Sequence, residues 1–293
     1  MNQTGQYLRN EAHALAGALP PVLALAQRLA ASVALGVHGR KRAGMGESFW
    51  QYRHAMPGDS AANIDWRRSA QGDALFIRER EWEAAQTVAF WCDASKSMAY
   101  HSTAALVTKS ERAQVLTLAL ASLLARAGER LSLLETTAEK PGLGEAKLQQ
   151  MARALAGADF GDDYGSLPAP TAQPAGHKIF MSDFMGPPDA IFPALTAHAG
   201  AGIKGCLVHI LDPAEENFPF DGRIIFESMG NVVNFETLRA KALRADYRKK
   251  LEMRSAALKD WARSVGWYYT RHRTDQTAQK TLLWLFLMIG NQT

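Results

Sequence analysis

A chain of 293 residues with 47% hydrophobic content can bury a sizeable core, as one large α/β domain or one domain with an appendage. Its 33 basic and 29 acidic residues leave a net charge of only +4, too small and too dispersed to point to nucleic acid. The polar start MNQTGQYLRNEAHALAG lacks the basic stretch and apolar run of a secretory signal, and the apolar stretch from Leu282 to Ile289 falls well short of the roughly 20 residues that span a bilayer.

Alanines and leucines at helical spacing predict helix over residues 1–32, interrupted at Pro20-Pro21. Residues 33–82 change character, with glycines, aromatic rings and many charges, and residues 74–81 read as a strand leading towards the next apolar run. From residue 87 strands and helices alternate. Strands are expected at 87–92, 130–135, 177–182, 204–211 and 267–271, with an additional one at 222–229. Helices are expected at 110–127, stopped by Gly128, then at 145–156, 189–198, 237–265 and 275–289. This alternation predicts an α/β fold with an open, doubly wound, mostly parallel sheet. Cys92 and Cys206 lie in apolar strand-like runs and read as buried free thiols of a reducing compartment, so a cytoplasmic chain is expected.

The first candidate site is Asp93-Ala94-Ser95-Lys96-Ser97, directly behind the run Thr87-Val88-Ala89-Phe90-Trp91-Cys92. The C-terminal edge of a parallel sheet is where ligands bind. Asp93, Ser95 and Ser97 supply hard oxygen donors from one turn, a set suited to Mg²⁺ or Mn²⁺. They are equally good helix caps. The pentad is the Asp-x-Ser-x-Ser signature, and here the chain resembles von Willebrand factor A-like domains. That resemblance implies a MIDAS-like metal site in which Asp183, ending the run Lys178-Ile179-Phe180-Met181-Ser182, faces Asp93 across the ion. Read without it, Asp183 caps the helix that follows. The resemblance also implies a threonine from a Gly-rich loop. The corresponding loop, Gly161-Asp162-Asp163-Tyr164-Gly165-Ser166-Leu167-Pro168, has none. Asp162, Asp163 or Ser166 stand in its place, and a site without an ion is the alternative.

The block Gly46-Glu47-Ser48-Phe49-Trp50-Gln51-Tyr52-Arg53, followed by Pro57-Gly58-Asp59 and Asn63-Ile64-Asp65-Trp66-Arg67-Arg68-Ser69-Ala70, resembles the "domain of unknown function 58" family. The aromatic and the arginine at 52–53 are reordered relative to the family pattern. Glu47, Arg53, Asp59, Asp65, Trp66 and Arg67 form an arginine, tryptophan and acid surface of the kind found at docking hot spots. The other reading has Asp59 and Asp65 pair with neighbouring arginines to pin an irregular segment. The chain divides on this reading into an extension over residues 1–82 and a von Willebrand factor A-like domain over 83–293.

Phosphate-loop, Gly-x-Ser-x-Gly and zinc-ligand spacings are absent. The basic residues of 237–265 alternate with Glu236, Asp246, Glu252 and Asp260 and read as a solvated helix face rather than a nucleic-acid surface. The family resemblance implies a non-enzymatic interaction module, an adaptor or co-chaperone working with a MoxR-type AAA+ ATPase on a client protein through the divalent ion. The competing reading is a metal-dependent phosphatase or phosphotransferase with Asp93 as nucleophile. Against it, the position two residues on, where haloacid-dehalogenase-type enzymes carry a second Asp, is Ser95.

Overall fold

The computed structural model describes residues 21–37, 49–56, 60, 64–70, 72, 74–80, 85–103, 106–134, 140–158, 161–170, 176–200, 203–228 and 234–290. They form two compact units.

The larger unit is built on a five-stranded sheet of β3 (Thr87–Cys92), β4 (Arg130–Leu133), β5 (His177–Ser182), β6 (Lys204–Leu211) and β9 (Tyr268–Arg273). Its order is β4-β3-β5-β6-β9 and every pairing in it is parallel. Side chains alternate between the two faces, as the two-residue period of a strand requires. Val88, Phe90 and Cys92 of β3, Ile179 and Met181 of β5, and Cys206, Val208 and Ile210 of β6 enter one core. Ala89, Trp91, Phe180 and Leu207 enter the other. Burial on both faces explains why these strands read as continuous apolar runs.

The first core is covered by α1 (Pro21–Val37), α3 (Lys109–Arg126), α4 (Gly144–Ala156) and α8 (Ala278–Gly290). The second is covered by α5 (Pro188–His198) and α7 (Ala240–Ser264). The expected α/β architecture with helices on both faces is therefore present. Helix α1 belongs to this unit, although the sequence grouped it with the extension up to residue 82. Its Leu23, Ala26, Ala30 and Val33 form one apolar stripe at helical spacing and bury against α3 and α8. Helix α3 starts on a reciprocal cap: Thr108 Oγ1 accepts from Glu111 N at 3.1 Å, and Glu111 Oε2 accepts from Thr108 N at 2.9 Å. It stops at Gly128, whose φ of +83° is the left-handed conformation expected there.

Past β6, the short α6 (Pro213–Asn217) leads into an antiparallel ribbon of β7 (Ile224–Glu227) and β8 (Asn234–Thr237). The sequence gives only the first of these strands. It also begins the long helix at residue 237, but Thr237 ends β8 and its Oγ1 accepts from Arg239 N at 3.2 Å in a local turn. Cys92 and Cys206 are buried free thiols. Among the described residues no helix is long and apolar enough to cross a membrane.

The smaller unit pairs β1 (Phe49–His54) antiparallel with β2 (Phe76–Arg80) around the single-turn α2 (Trp66–Ser69). The strand expected near 74–81 is thus present, in a ribbon of its own rather than in the main sheet. Ser69 fixes the turn: its hydroxyl donates to Asp65 O at 2.8 Å and accepts from Phe76 N at 2.9 Å.

Candidate functional site

Strands β3, β4 and β5 occur in the sheet as β4-β3-β5, so the order reverses between β3 and β5. The crevice beyond strand ends at such a reversal is where open parallel sheets bind ligands. Asp93 leaves β3 at this point and Asp183 leaves β5. The ladder persists one step past β3, with Asp93 N donating to Met181 O at 2.9 Å.

Asp93 is 1% exposed and both its oxygens are occupied. Oδ1 accepts from Ser95 N at 2.8 Å, and Oδ2 accepts from the Ser182 hydroxyl at 2.6 Å. Ser182 Oγ in turn accepts from Phe184 N at 2.8 Å. The hydroxyls of Ser95 and Ser97 lie 3.1 Å apart. Asp183 is fully buried. Its Oδ1 accepts from Met185 N at 3.0 Å and its Oδ2 from Lys109 Nζ at 2.8 Å. The same ammonium reaches Glu215 Oε1, while Glu215 Oε2 accepts from Asp212 N at 2.8 Å. Asp212 ties this end of β6 to the turn after β3, accepting from Ala214 N at 2.7 Å and from Ser102 N at 2.9 Å.

The loop over residues 161–170 closes the site from above. Its carbonyls accept from the pentad: Asp162 O from Lys96 N at 3.0 Å, and Asp163 O from Ser97 N at 2.9 Å. Gly165 lies so close to Asp93 that a Cβ there would stand 2.2 Å from Oδ2. Only glycine fits. Of the loop residues read as possible ligands, Asp162 and Ser166 are exposed. Asp163 lines the cleft, and its buried Oδ1 has no hydrogen-bond partner among the described residues.

Electrostatics follow from this packing. Burial, then the charge of Asp183, pushes the Asp93 carboxyl above its usual range, and the donors Ser182 and Ser95 only partly offset this. Burial also opposes ionisation of Asp183, but Lys109, the Ser97 hydroxyl and the Met185 amide outweigh it and hold that carboxyl below its usual range. Burial raises Glu215, which Lys109 counteracts. Lys109, 1% exposed, stays charged because its two carboxylates outweigh its own desolvation. His209, beneath them and bonded through Nδ1 to the Tyr269 hydroxyl at 2.8 Å, is pushed down to about 3 by burial.

Two aromatic residues flanking the cluster, Phe184 and Phe218, have φ of +47° and +46°. For side chains of this size the left-handed region costs on the order of 1–3 kcal/mol each, held in place by surrounding contacts. Those contacts come from α7: Arg254 donates to Phe184 O at 2.9 Å and Gly186 O at 2.7 Å, and Arg244 to Phe218 O at 2.8 Å. Two residues read as part of a solvated basic face are therefore braces of the site.

Two carboxyl groups, those of Asp183 and Glu215, share one ammonium, and among the described residues no ion pair forms at the buried Asp93. No set of three His, Cys, Asp or Glu side chains converges as a ligand group among the described residues. A cation here would draw on Asp93 and Asp183 with the hydroxyls of Ser95 and Ser97. An all-oxygen donor set with surplus negative charge, and a buried Asp163 oxygen without a donor, fits a hard divalent ion.

Sequence reasoning assembled Asp93, Ser95, Ser97 and Asp183 but missed Lys109, Ser182 and Glu215. A lysine at the first residue of α3 opposes the helix dipole, a local cost that signals a partner elsewhere. Asp212-Pro213-Ala214-Glu215 is a readable capping box, and its Glu215 holds the ammonium as well.

The second candidate surface belongs to the smaller unit. Glu47 and Asp59 lie outside the described residues, and Arg53 is described only as backbone of β1. Asp65 caps α2, its Oδ1 accepting from Arg68 N at 3.0 Å. Trp66, 62% exposed, and Arg67 face solvent within this unit.

No curated protein and no solved structure gives a significant match to the chain. A family model described as "Protein of unknown function DUF58" matches residues 51–257, from β1 into α7 and across the whole Asp93–Asp183–Glu215 cluster. With more than half of its length matched, the chain belongs to the DUF58 family.

Proposed function

We propose that this protein is a non-enzymatic interaction module with a von Willebrand factor A-type domain, an adaptor or co-chaperone of a MoxR-type AAA+ ATPase acting on a client protein. The observation that carries the reading is the meeting of Asp93 and Asp183 from adjacent parallel strands at the reversal of strand order. Asp93, Ser95, Ser97 and Asp183 would hold a Mg²⁺ or Mn²⁺ ion, with Asp163 as the loop residue nearest to them in role. Such an ion, when bound, supplies an open position for a carboxylate of the docking protein.

The chain's own residues do the positioning. Lys109 keeps Asp183 ionised, Ser182 and the Ser95 amide fix the Asp93 carboxyl, and Gly165 admits the covering loop. Occupied oxygens and deep burial suit a group that holds a ligand better than one that attacks a substrate. The phosphatase alternative requires an approachable Asp93, and none of its contacts favours that. Pull-down of the ATPase with protein prepared in Mn²⁺ or in EDTA tests the proposal. Ion-dependent capture, lost in Asp93→Ala/Asp183→Ala, is expected; equal capture in all preparations discards the ion bridge.

A further inference from the structure

The cleft that starts at Ser97 and Asp183 does not end there. It has a volume of about 680 Å³ and runs out along α6, the β7–β8 ribbon and the first half of α7. Its outer wall is aromatic. Phe218 stacks on Phe226 with ring centroids 5.6 Å apart, leans on Tyr247 at 4.9 Å and meets Phe220 edge-on at 5.1 Å. The wall is braced: Arg244 donates to the carbonyls of Phe218 and Phe220 at 2.8 and 3.4 Å. Carboxyl groups line it: Asp163 on the loop, Glu227 on the ribbon, Asp246 on α7, and Asp183 and Glu215 beside Lys109. Lys250 is the one cationic side chain among the described lining residues.

Three kinds of occupant can be compared. An acidic side chain would enter among these carboxyls and gain nothing from the ring faces, which carry negative potential. An apolar side chain would match the rings but desolvate the carboxyls beside them with no counter-charge. An organic cation satisfies both, through cation–π contact with Phe218, Phe226 or Tyr247 and charge-assisted hydrogen bonds to the carboxyls. We propose that this aromatic arm of the cleft takes the guanidinium or ammonium head of a basic side chain presented by the partner protein. The inference builds on the binding-module reading but does not need the divalent ion. Beside an ion-bound carboxylate it makes the docked segment one of mixed charge, an acidic residue and a basic residue a few positions apart.

The test uses the full chain in EDTA and three probes: acetyl-Ala-Arg-Ala-amide, the same peptide with neutral citrulline in place of arginine, and the same peptide with glutamate. Binding is read by ligand-observed NMR titration. The arginine peptide is expected to bind about tenfold more tightly than the citrulline one, the size of a partly desolvated cation–π and carboxylate contact. Phe235→Ser and Asp246→Asn, both at exposed lining positions, are each expected to weaken it about threefold or more with an unchanged thermal midpoint. Equal binding of the arginine and citrulline peptides, tighter binding of the glutamate peptide, or no detectable binding of any would overturn the inference. Ion-dependent capture of the ATPase can survive each of those results, and its loss leaves the peptide experiment untouched, so the two claims fail separately.

Discussion

Replacing Lys109 by methionine isolates the one positive charge in the cluster. Its ammonium sits 2.8 Å from Asp183 Oδ2 and bonds Glu215, and neither Lys109 nor Asp183 is more than 1% exposed. Methionine keeps most of the volume, so the change is electrostatic rather than a cavity. Removing one partner of a fully buried pair strands the other charge, at a cost of about 3–5 kcal/mol. That is a large part of the roughly 5–15 kcal/mol that stabilises a folded domain. With a urea slope of about 3 kcal/mol per molar, the midpoint should fall by about 1–2 M. The sign of the pH dependence follows from the two shifts. Asp183 is held below its unfolded value, so its pairing stabilises above a pH of about 4 and is lost as pH falls through the folded pKa. Lys109 is held above its unfolded value, so its contribution is complete below pH ~10 and is lost as pH rises through the folded pKa. The gap between native protein and variant should therefore be widest just below pH ~10. It should close on the acid side as the variant's stranded Asp183, raised by burial and no longer held down by Lys109, takes up its proton, and on the alkaline side as Lys109 of the native protein titrates. Adding Asp183→Asn should restore part of the loss, since the stranded charge is then gone. A Lys109→Met protein within about 0.5 kcal/mol of the native one would mean that the carboxylates do not depend on this ammonium.

Asp93→Asn should move stability the other way in ion-free buffer. The native carboxyl is raised by burial and by Asp183, so its ionisation costs stability that grows as pH climbs above about 4 towards the folded pKa. Thermal midpoints of native and variant protein should diverge in favour of the variant over that rise, and parallel curves would count against the pairing of the two acids. Gly165→Ala places a Cβ 2.2 Å from Asp93 Oδ2 and should cost about 1–3 kcal/mol by urea unfolding, with ion affinity lost as the loop lifts. Gly205→Ala drives a Cβ to 2.3 Å from the Trp267 indole, which stacks on Phe180; a similar loss of about 1–3 kcal/mol and a changed near-ultraviolet dichroism band are expected, with ion binding intact.

Legibility in the sequence tracked burial. Strands β3, β5 and β6 have the limits expected from their apolar runs, because both faces are covered and even polar members such as Lys178 and His209 are buried. The β8 strand was invisible: Asn234-Phe235-Glu236-Thr237 is short, polar at all but Phe235 and exposed there, so neither period nor composition marks it. Strand order left no trace in the sequence at all, yet it is what sets Asp93 beside Asp183. Their positions at strand ends were readable; their adjacency came only from the resemblance. Lys109 was hidden for another reason. A charged residue opening a helix reads as surface, and its partners lie 74 and 106 residues away in the chain. The aromatic arm of the cleft combines α6, the ribbon and α7, three elements whose mutual packing no local pattern encodes.

The proposed function rests on a divalent ion held by the oxygens of Asp93, Ser95, Ser97 and Asp183. Titration of Mn²⁺ into the protein, with free ion followed by electron paramagnetic resonance, measures this directly. One ion bound per chain is expected, displaced by Mg²⁺ and lost in both Asp93→Asn and Ser97→Ala. A native protein that leaves all Mn²⁺ free would contradict it, and so would binding that survives both substitutions.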